Sequence, residues 1–136
     1  FLLHQSVAVQ SSEFNRLALR KEWKDPKVRT ILLPEDKPAT FTLCQDWLYT
    51  AQMHSEGGPP DYRLLVEAYV FGEKMLDVSF KNAIAEEIIR VLYVPSYVDL
   101  NIMNLLYENT PIDSPLCRLV RDIYIWDGDE SWFEAD

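Results

Sequence analysis

Val28-Arg29-Thr30-Ile31-Leu32-Leu33-Pro34-Glu35-Asp36-Lys37-Pro38-Ala39-Thr40-Phe41 leads directly into Thr42-Leu43-Cys44-Gln45-Asp46-Trp47-Leu48-Tyr49-Thr50. The first six residues are rich in β-branched and aliphatic side chains and begin with alternation, which predicts a strand. The next five, from Pro34 to Pro38, carry two prolines and three charges and predict a turn. Pro38 suits the first turn of a helix, where its missing N–H removes no hydrogen bond. Phe41, Cys44, Trp47, Leu48 and Ala51 then recur at three- and four-residue spacing, the stripe of an amphipathic helix. This stretch therefore predicts an α+β chain, rich in helix, with a small amount of strand.

Working back from it, Phe1 to His4 reads as the end of a strand. The pattern turns helical at Ser6, with Val7, Phe14, Leu17 and Ala18 as its apolar positions. Ser11-Ser12-Glu13 interrupts that pattern and caps a second helical piece. The piece runs to about Trp23, where Lys24-Asp25-Pro26 stops it, because the residue before a proline is pushed out of the helical region.

Working forward, Met53 to Pro60 contains Gly57-Gly58-Pro59-Pro60 and is a loop. Asp61 caps a helix to about Met75 whose Leu64, Leu65, Ala68, Phe71 and Met75 face inward. Asp77-Val78-Ser79 is a short turn, with Ser79 as the cap of a helix along Phe80, Ala83, Ile84, Ile88 and Val91. Pro95-Ser96 ends that helix and starts another through Val98, Ile102, Leu105 and Leu106. Asn109 to Ser114 is a loop. Ser114-Pro115 opens a last helix carrying Leu116, Leu119, Val120, Ile123 and Trp126. From Asp127 the chain is acidic and reads as a frayed end in which Trp132 and Phe133 stand out.

The chain has 136 residues, which fits one domain, and 48% are hydrophobic, enough for a core without disulfide or metal staples. Its start without Met reads as a fragment or a trimmed piece. Thirteen Lys and Arg stand against 22 Asp and Glu, a net charge of −9, a sign that repels phosphate backbones and argues against nucleic acid as a partner. No apolar run is long enough to span a bilayer, so no membrane partner is expected. The two cysteines, Cys44 and Cys117, sit among apolar neighbours inside predicted helices. They do not make a disulfide framework, and a reducing, intracellular compartment (cytoplasmic or nuclear) fits them.

Signatures of chemistry are sparse. His4 and His54 are the only histidines, and neither has the spacing of a metal pair or neighbours a cysteine. No phosphate-binding glycine motif occurs. Asp127-Gly128-Asp129-Glu130 lacks the glycine and the final glutamate of a calcium loop. No cofactor and no metal is expected. Aromatics are 12% of the chain and fall mostly at core spacing, although such residues also serve as interface anchors. Binding is therefore a better class than catalysis.

Several stretches resemble the BTB/POZ domain in the form common in filamentous fungi. Phe1-Leu2-Leu3-His4, Val7 and Ser12-Glu13-Phe14 are similar to the family's strand–helix entry, with Asn15 where a second aromatic often stands. Ile31 to Phe41 resembles its "I-x-L-P-E-D-x-P-x-x-F", and Trp47-Leu48-Tyr49-Thr50 its "W-L-Y-T". Tyr69 to Leu76 and Phe80-Lys81-Asn82-Ala83 look like the paired helices that follow. Leu106-Tyr107-Glu108-Asn109-Thr110-Pro111 and Ser114-Pro115-Leu116 resemble the extension after the domain. The pieces occur in the family's order over nearly the whole chain. The family begins with one or two strands before Phe1, which strand-exchanged dimers use, and the sequence here starts at Phe1.

The resemblance implies a helical cluster flanked by a short β-sheet, with extra C-terminal helices. It divides the chain into a BTB/POZ-like domain over 1–94, a helical extension over 95–126 and an acidic tail over 127–136. It also implies a non-catalytic protein–protein interaction domain, a homodimer with Phe14 and Leu17 at the seam, or a recruiter of protein partners. Cullin-binding members carry a hydrophobic-x-Glu motif after the first helical hairpin, and here that place holds Trp23-Lys24-Asp25. The sharper expectation is thus a substrate adaptor that binds a cullin scaffold. The plainer one is that Trp23 packs on its own domain and Lys24-Asp25 is a helix stop. An oligomerisation module without cullin binding is the alternative function. A small hydrolase pairing Cys44 or Cys117 with His4 is the remote one.

Overall fold

A computed structural model describes residues 1–22, 30–55, 57–92 and 100–127. Seven helices occur among them: α1 (Gln5–Ser11), α2 (Glu13–Glu22), α3 (Pro38–Thr50), α4 (Tyr62–Lys74), α5 (Val78–Leu92), α6 (Leu100–Asn109) and α7 (Pro115–Asp127). The sequence predicted most of these starts. Ser12 Oγ accepts from the Asn15 N–H at 3.1 Å and begins α2. Pro38 occupies the first turn of α3. Asp61 caps α4 through the Leu64 N–H at 2.8 Å, and Ser114 caps α7 through the Cys117 N–H at 3.2 Å.

α4 is the centre of the molecule. Its Leu65, Val66, Ala68, Tyr69, Phe71 and Gly72 are buried around more than one side, as expected for a helix apolar nearly all round. α3, α5 and α6 pack against it. Leu43 and Cys44 of α3, Phe80, Ile84 and Ile88 of α5, Leu106 of α6, and Leu116, Cys117 and Val120 of α7 complete one core. The Tyr69 hydroxyl accepts from the Leu116 N–H at 3.4 Å, tying α7 to α4.

The expected sheet is not there. Among the described residues the only β pairing is one antiparallel bridge between Ser55 and Gly58, so the α+β class with a flanking sheet is replaced by an all-helical cluster. Of the strand predicted over 28–33, residues 30–33 are irregular, and 28 and 29 lie outside the described residues. Its alternation survives as burial: Ile31 and Leu33 are half-buried and Leu32 is 82% exposed. Alternation reports that one face is covered, whereas a strand also needs a neighbour for its main-chain groups. Phe1 to His4 is not a strand either. α3 side chains meet its main chain instead, with Gln45 Nε2 donating to the Leu2 carbonyl at 2.9 Å and the His4 N–H donating to the Tyr49 hydroxyl at 3.1 Å.

The α4–α5 corner also differs from expectation. The cap of α5 is Asp77, not Ser79, and Val78 and Ser79 are already helical. The Asp77 N–H donates to the Gly72 carbonyl at 3.0 Å and the Leu76 N–H to the Glu73 carbonyl at 3.1 Å, a Schellman closure of α4. Leu76 takes the left-handed position, φ 50°, that glycine usually fills. Asp77 Oδ1 accepts from the Phe80 N–H at 2.9 Å and begins α5.

The crossing of α4 over α5 needs Gly72. A Cβ there would stand 2.7 Å from Lys81 Cγ and 3.3 Å from Phe80 Cδ1. Lys81 is not free to swing away, because its ammonium pairs with Glu73 at 2.9 Å and lies 6.0 Å from the Tyr69 ring centre. Gly72→Ala should therefore destabilise the fold by about 1 kcal/mol. Overpacking costs about 1–3 kcal/mol, and the better helix propensity of alanine returns up to about 1 kcal/mol. Urea unfolding of the two chains measures the difference.

Candidate functional site

The first candidate surface is built at the junction of α1 and α2. Ser12 leaves the helical region, φ −86° and ψ 116°, so the chain turns between two short helices. Its hydroxyl donates to the Met75 carbonyl at 2.7 Å, and Ser11 Oγ donates to Asp77 Oδ2 at 2.5 Å. The Glu13 and Phe14 N–H groups donate to the Leu76 and Met75 carbonyls at 3.4 and 3.3 Å. Asn15 is buried and donates from Nδ2 to the Ala8 carbonyl at 3.1 Å. A polar knot thus presses the start of α2 onto the α4–α5 corner.

This knot separates the two residues expected at a seam. Phe14 is half-buried and packs against the core, while Leu17 is 48% exposed. Leu17 stands one turn along α2 from Glu13, whose N–H meets the Leu76 carbonyl, and Leu76 is itself 49% exposed. Leu17 on α2 and Leu76 at the α4–α5 turn are thus both partly in solvent. Leu76 was not visible as a site residue, because nothing in the sequence marks a leucine forced into a left-handed cap. Trp23, Lys24 and Asp25 lie outside the described residues.

The second candidate is an open cavity of about 480 Å³ between the 35–37 turn, α4 and α6. Val70 and Phe71 of α4 with Ile102 and Leu105 of α6 give it an apolar floor. Ion pairs join the turn to α4: Lys37 to Glu67 at 2.7 Å and Lys74 to Asp36 at 2.5 Å. Arg63 also reaches Glu67, at 3.2 Å. These pairs are largely exposed on the cationic side, and each contributes at most about 1 kcal/mol.

The Cys–His arrangement of a hydrolase is not assembled. His4 Nδ1 lies 2.6 Å from the Tyr49 hydroxyl. Cys117 is buried with its Sγ 3.2 Å from Thr110 Oγ1. Burial, aided by the charge of Asp77, pushes the Cys44 thiol from its ordinary 9.0 up to about 12. A thiol so protonated is a poor nucleophile. Among the described residues no group of three or more His, Cys, Asp or Glu is placed to hold a metal ion, and no helix is long and apolar enough to cross a membrane. Tyr62 is likewise pushed from 10.0 up to about 12 by burial and by Tyr124, and its hydroxyl has no hydrogen-bond partner among the described residues.

These groups set an alkaline limit. In the unfolded chain Cys44 ionises near 9.0, and in the fold only near 12. The stability linked to its protonated form is complete below about pH 9 and falls as pH rises toward 12. Both thiols should resist a disulfide reagent at pH 8 and react only on unfolding. The melting temperature should drop between about pH 9 and 11, and Cys44→Ala should reduce that drop. Rapid thiol labelling of the native chain would contradict the burial of these groups. No family model, no curated protein and no solved structure matches the chain.

Proposed function

We propose that this chain is a protein-interaction domain of the BTB/POZ kind, non-catalytic, that self-associates or recruits a protein partner. The observation that carries the reading is the corner formed by α2 and the α4–α5 turn. There the backbone is locked by buried hydrogen bonds while Leu17 and Leu76 stay in solvent. Ordered backbone beneath exposed apolar side chains is what a docking face requires, because little ordering entropy remains to be lost on binding. The order of the sequence motifs supports the same reading.

Magnitudes limit what the two leucines can do. Burying their exposed halves contributes roughly 2 kcal/mol. A micromolar complex needs about 8 kcal/mol and about 800 Å² from each partner. The reading therefore needs the segment that follows α2 in sequence, with Trp23 as its anchor and Lys24-Asp25 beside it. In the sharper form that segment engages a cullin scaffold and the chain is a substrate adaptor. Asp25 is one methylene shorter than the family's glutamate, which shortens its reach for a hydrogen bond to the partner. An intracellular setting, cytoplasmic or nuclear, accompanies this function.

Light scattering across concentration, alone and with a cullin N-terminal domain, tests the reading. A dimer that Leu17→Asp dissolves while the helical circular dichroism stays that of the parent chain supports self-association. A mixed complex lost on Trp23→Ala supports the adaptor. A chain that stays monomeric at high concentration and ignores the cullin would overturn both forms.

A further inference from the structure

Most cations on the described residues meet a carboxylate. Lys37, Arg63, Lys74, Lys81, Arg90 and Arg121 are all ion-paired. Arg16 and Arg20 of α2 are exposed and have no ion pair among the described residues. Arg118 of α7 is likewise unpaired, but it shares a helix face with Asp122, one turn on. Arg16 and Arg20 stand one turn apart with Leu17 between them, so all three share one face of α2. Glu13, a turn earlier, is the one carboxylate among the described side chains of that helix. In a chain of net charge −9, two arginines left open around a 48%-exposed leucine fit an anionic segment that also carries apolar side chains.

The acidic tail is such a segment. Residues 128–136, outside the described residues, hold Asp129, Glu130, Glu134 and Asp136, no Lys or Arg, and Trp132 beside Phe133. Reach decides which copy supplies it. α7 runs back along α4: Leu116 at its start bonds the Tyr69 hydroxyl, and Tyr124 near its end lies close enough to Tyr62, at the start of α4, to act on that phenol. α2 is held at the other end of α4, on the Met75 and Leu76 carbonyls. The ends of that helix lie about 20 Å apart. Trp132 follows the end of α7 by five residues, at most about 18 Å of extended chain. The tail of the same molecule would have to run straight along α4 with no length to spare. Ile125 and Trp126, 68% and 84% exposed, leave the end of α7 in solvent instead. The tail of a second copy meets no such limit.

We propose that residues 128–136 of one chain dock on the α2 face of a second copy, at Arg16, Leu17 and Arg20. The tail carboxylates pair with the two guanidinium groups. Trp132 and Phe133 cover Leu17 and stack on the arginines beside it. The contact joins two different surfaces, so it is heterologous and can continue from copy to copy. It rests on the proposed self-association and gives that association its two surfaces.

Sedimentation velocity of the full chain across concentration tests it. Trp132→Ala with Phe133→Ala spoils the tail, and Arg16→Glu with Arg20→Glu spoils the α2 face. Each double variant should weaken association at least about tenfold and stay monomeric where the parent chain associates. An equimolar mixture of the two should restore a 1:1 dimer and nothing larger, because one intact tail then meets one intact α2. Circular dichroism that matches the parent shows that each variant folds. If the glutamates perturb α2, Arg16→Gln with Arg20→Gln takes their place. The inference is overturned if the tail variant associates like the parent, or if the mixture stays monomeric, as a two-fold contact or a tail bound within its own chain would require. A parent dimer that Leu17→Asp dissolves and the tail variant does not would remove the tail contact and leave self-association standing. A parent that stays monomeric throughout would remove both.

Discussion

One buried carboxylate organises the molecule. Asp77, 2% exposed, closes α4 with its N–H, begins α5 with Oδ1, and receives the Ser11 hydroxyl on Oδ2. A buried carboxylate needs such partners, because leaving one unpaired costs several kcal/mol. The three bonds serve three different elements, so α1 and α2 are held to the α4–α5 hairpin by the same group that makes the hairpin turn. The Ser12 hydroxyl on the Met75 carbonyl adds a second tie. Beside these ties, α2 contacts α1 and reaches the core through Phe14.

The helices were legible because their signals are local. Asp61, Ser114 and Pro38 act within three residues of themselves, and the apolar stripes of α3, α4 and α7 need only a periodicity to be seen. The sheet was misread because strand formation is not local. Residues 30–33 carry the alternation of a strand and His4 has extended backbone angles, yet side chains of α3 bond the main chain of Leu2 and His4 where a neighbouring strand was expected. Ser79 reads as a cap from its residue type alone, and Asp77, two positions earlier, is a residue of the same capping class. Asp77 holds the cap because its N–H closes α4 on the Gly72 carbonyl and its Oδ1 accepts from the Phe80 N–H, while Ser11, 66 residues away, bonds the same carboxylate.

The candidate sites divide along the same line. Phe14 and Leu17 were read from one apolar stripe, and their spacing could not show that the knot at Ser12 turns Phe14 inward and leaves Leu17 outside. Leu76 depended on a backbone angle, and the groove depended on ion pairs between segments 30 and 38 residues apart. Asn15 carried no signal of its own in the sequence, and its buried bond to the Ala8 carbonyl makes it part of the α1–α2 turn. The clasp supplies the rigidity that the proposed binding role would use.

Hydrogen exchange on Ser11→Ala tests the clasp most directly, since that substitution removes one bond to Asp77 and leaves the caps of α2 and α5 in place. The amides of α1 and α2 should exchange faster while those of α4 and α5 keep their protection. Unchanged exchange in α1 and α2, or equal acceleration throughout the core, would contradict the role given to Asp77.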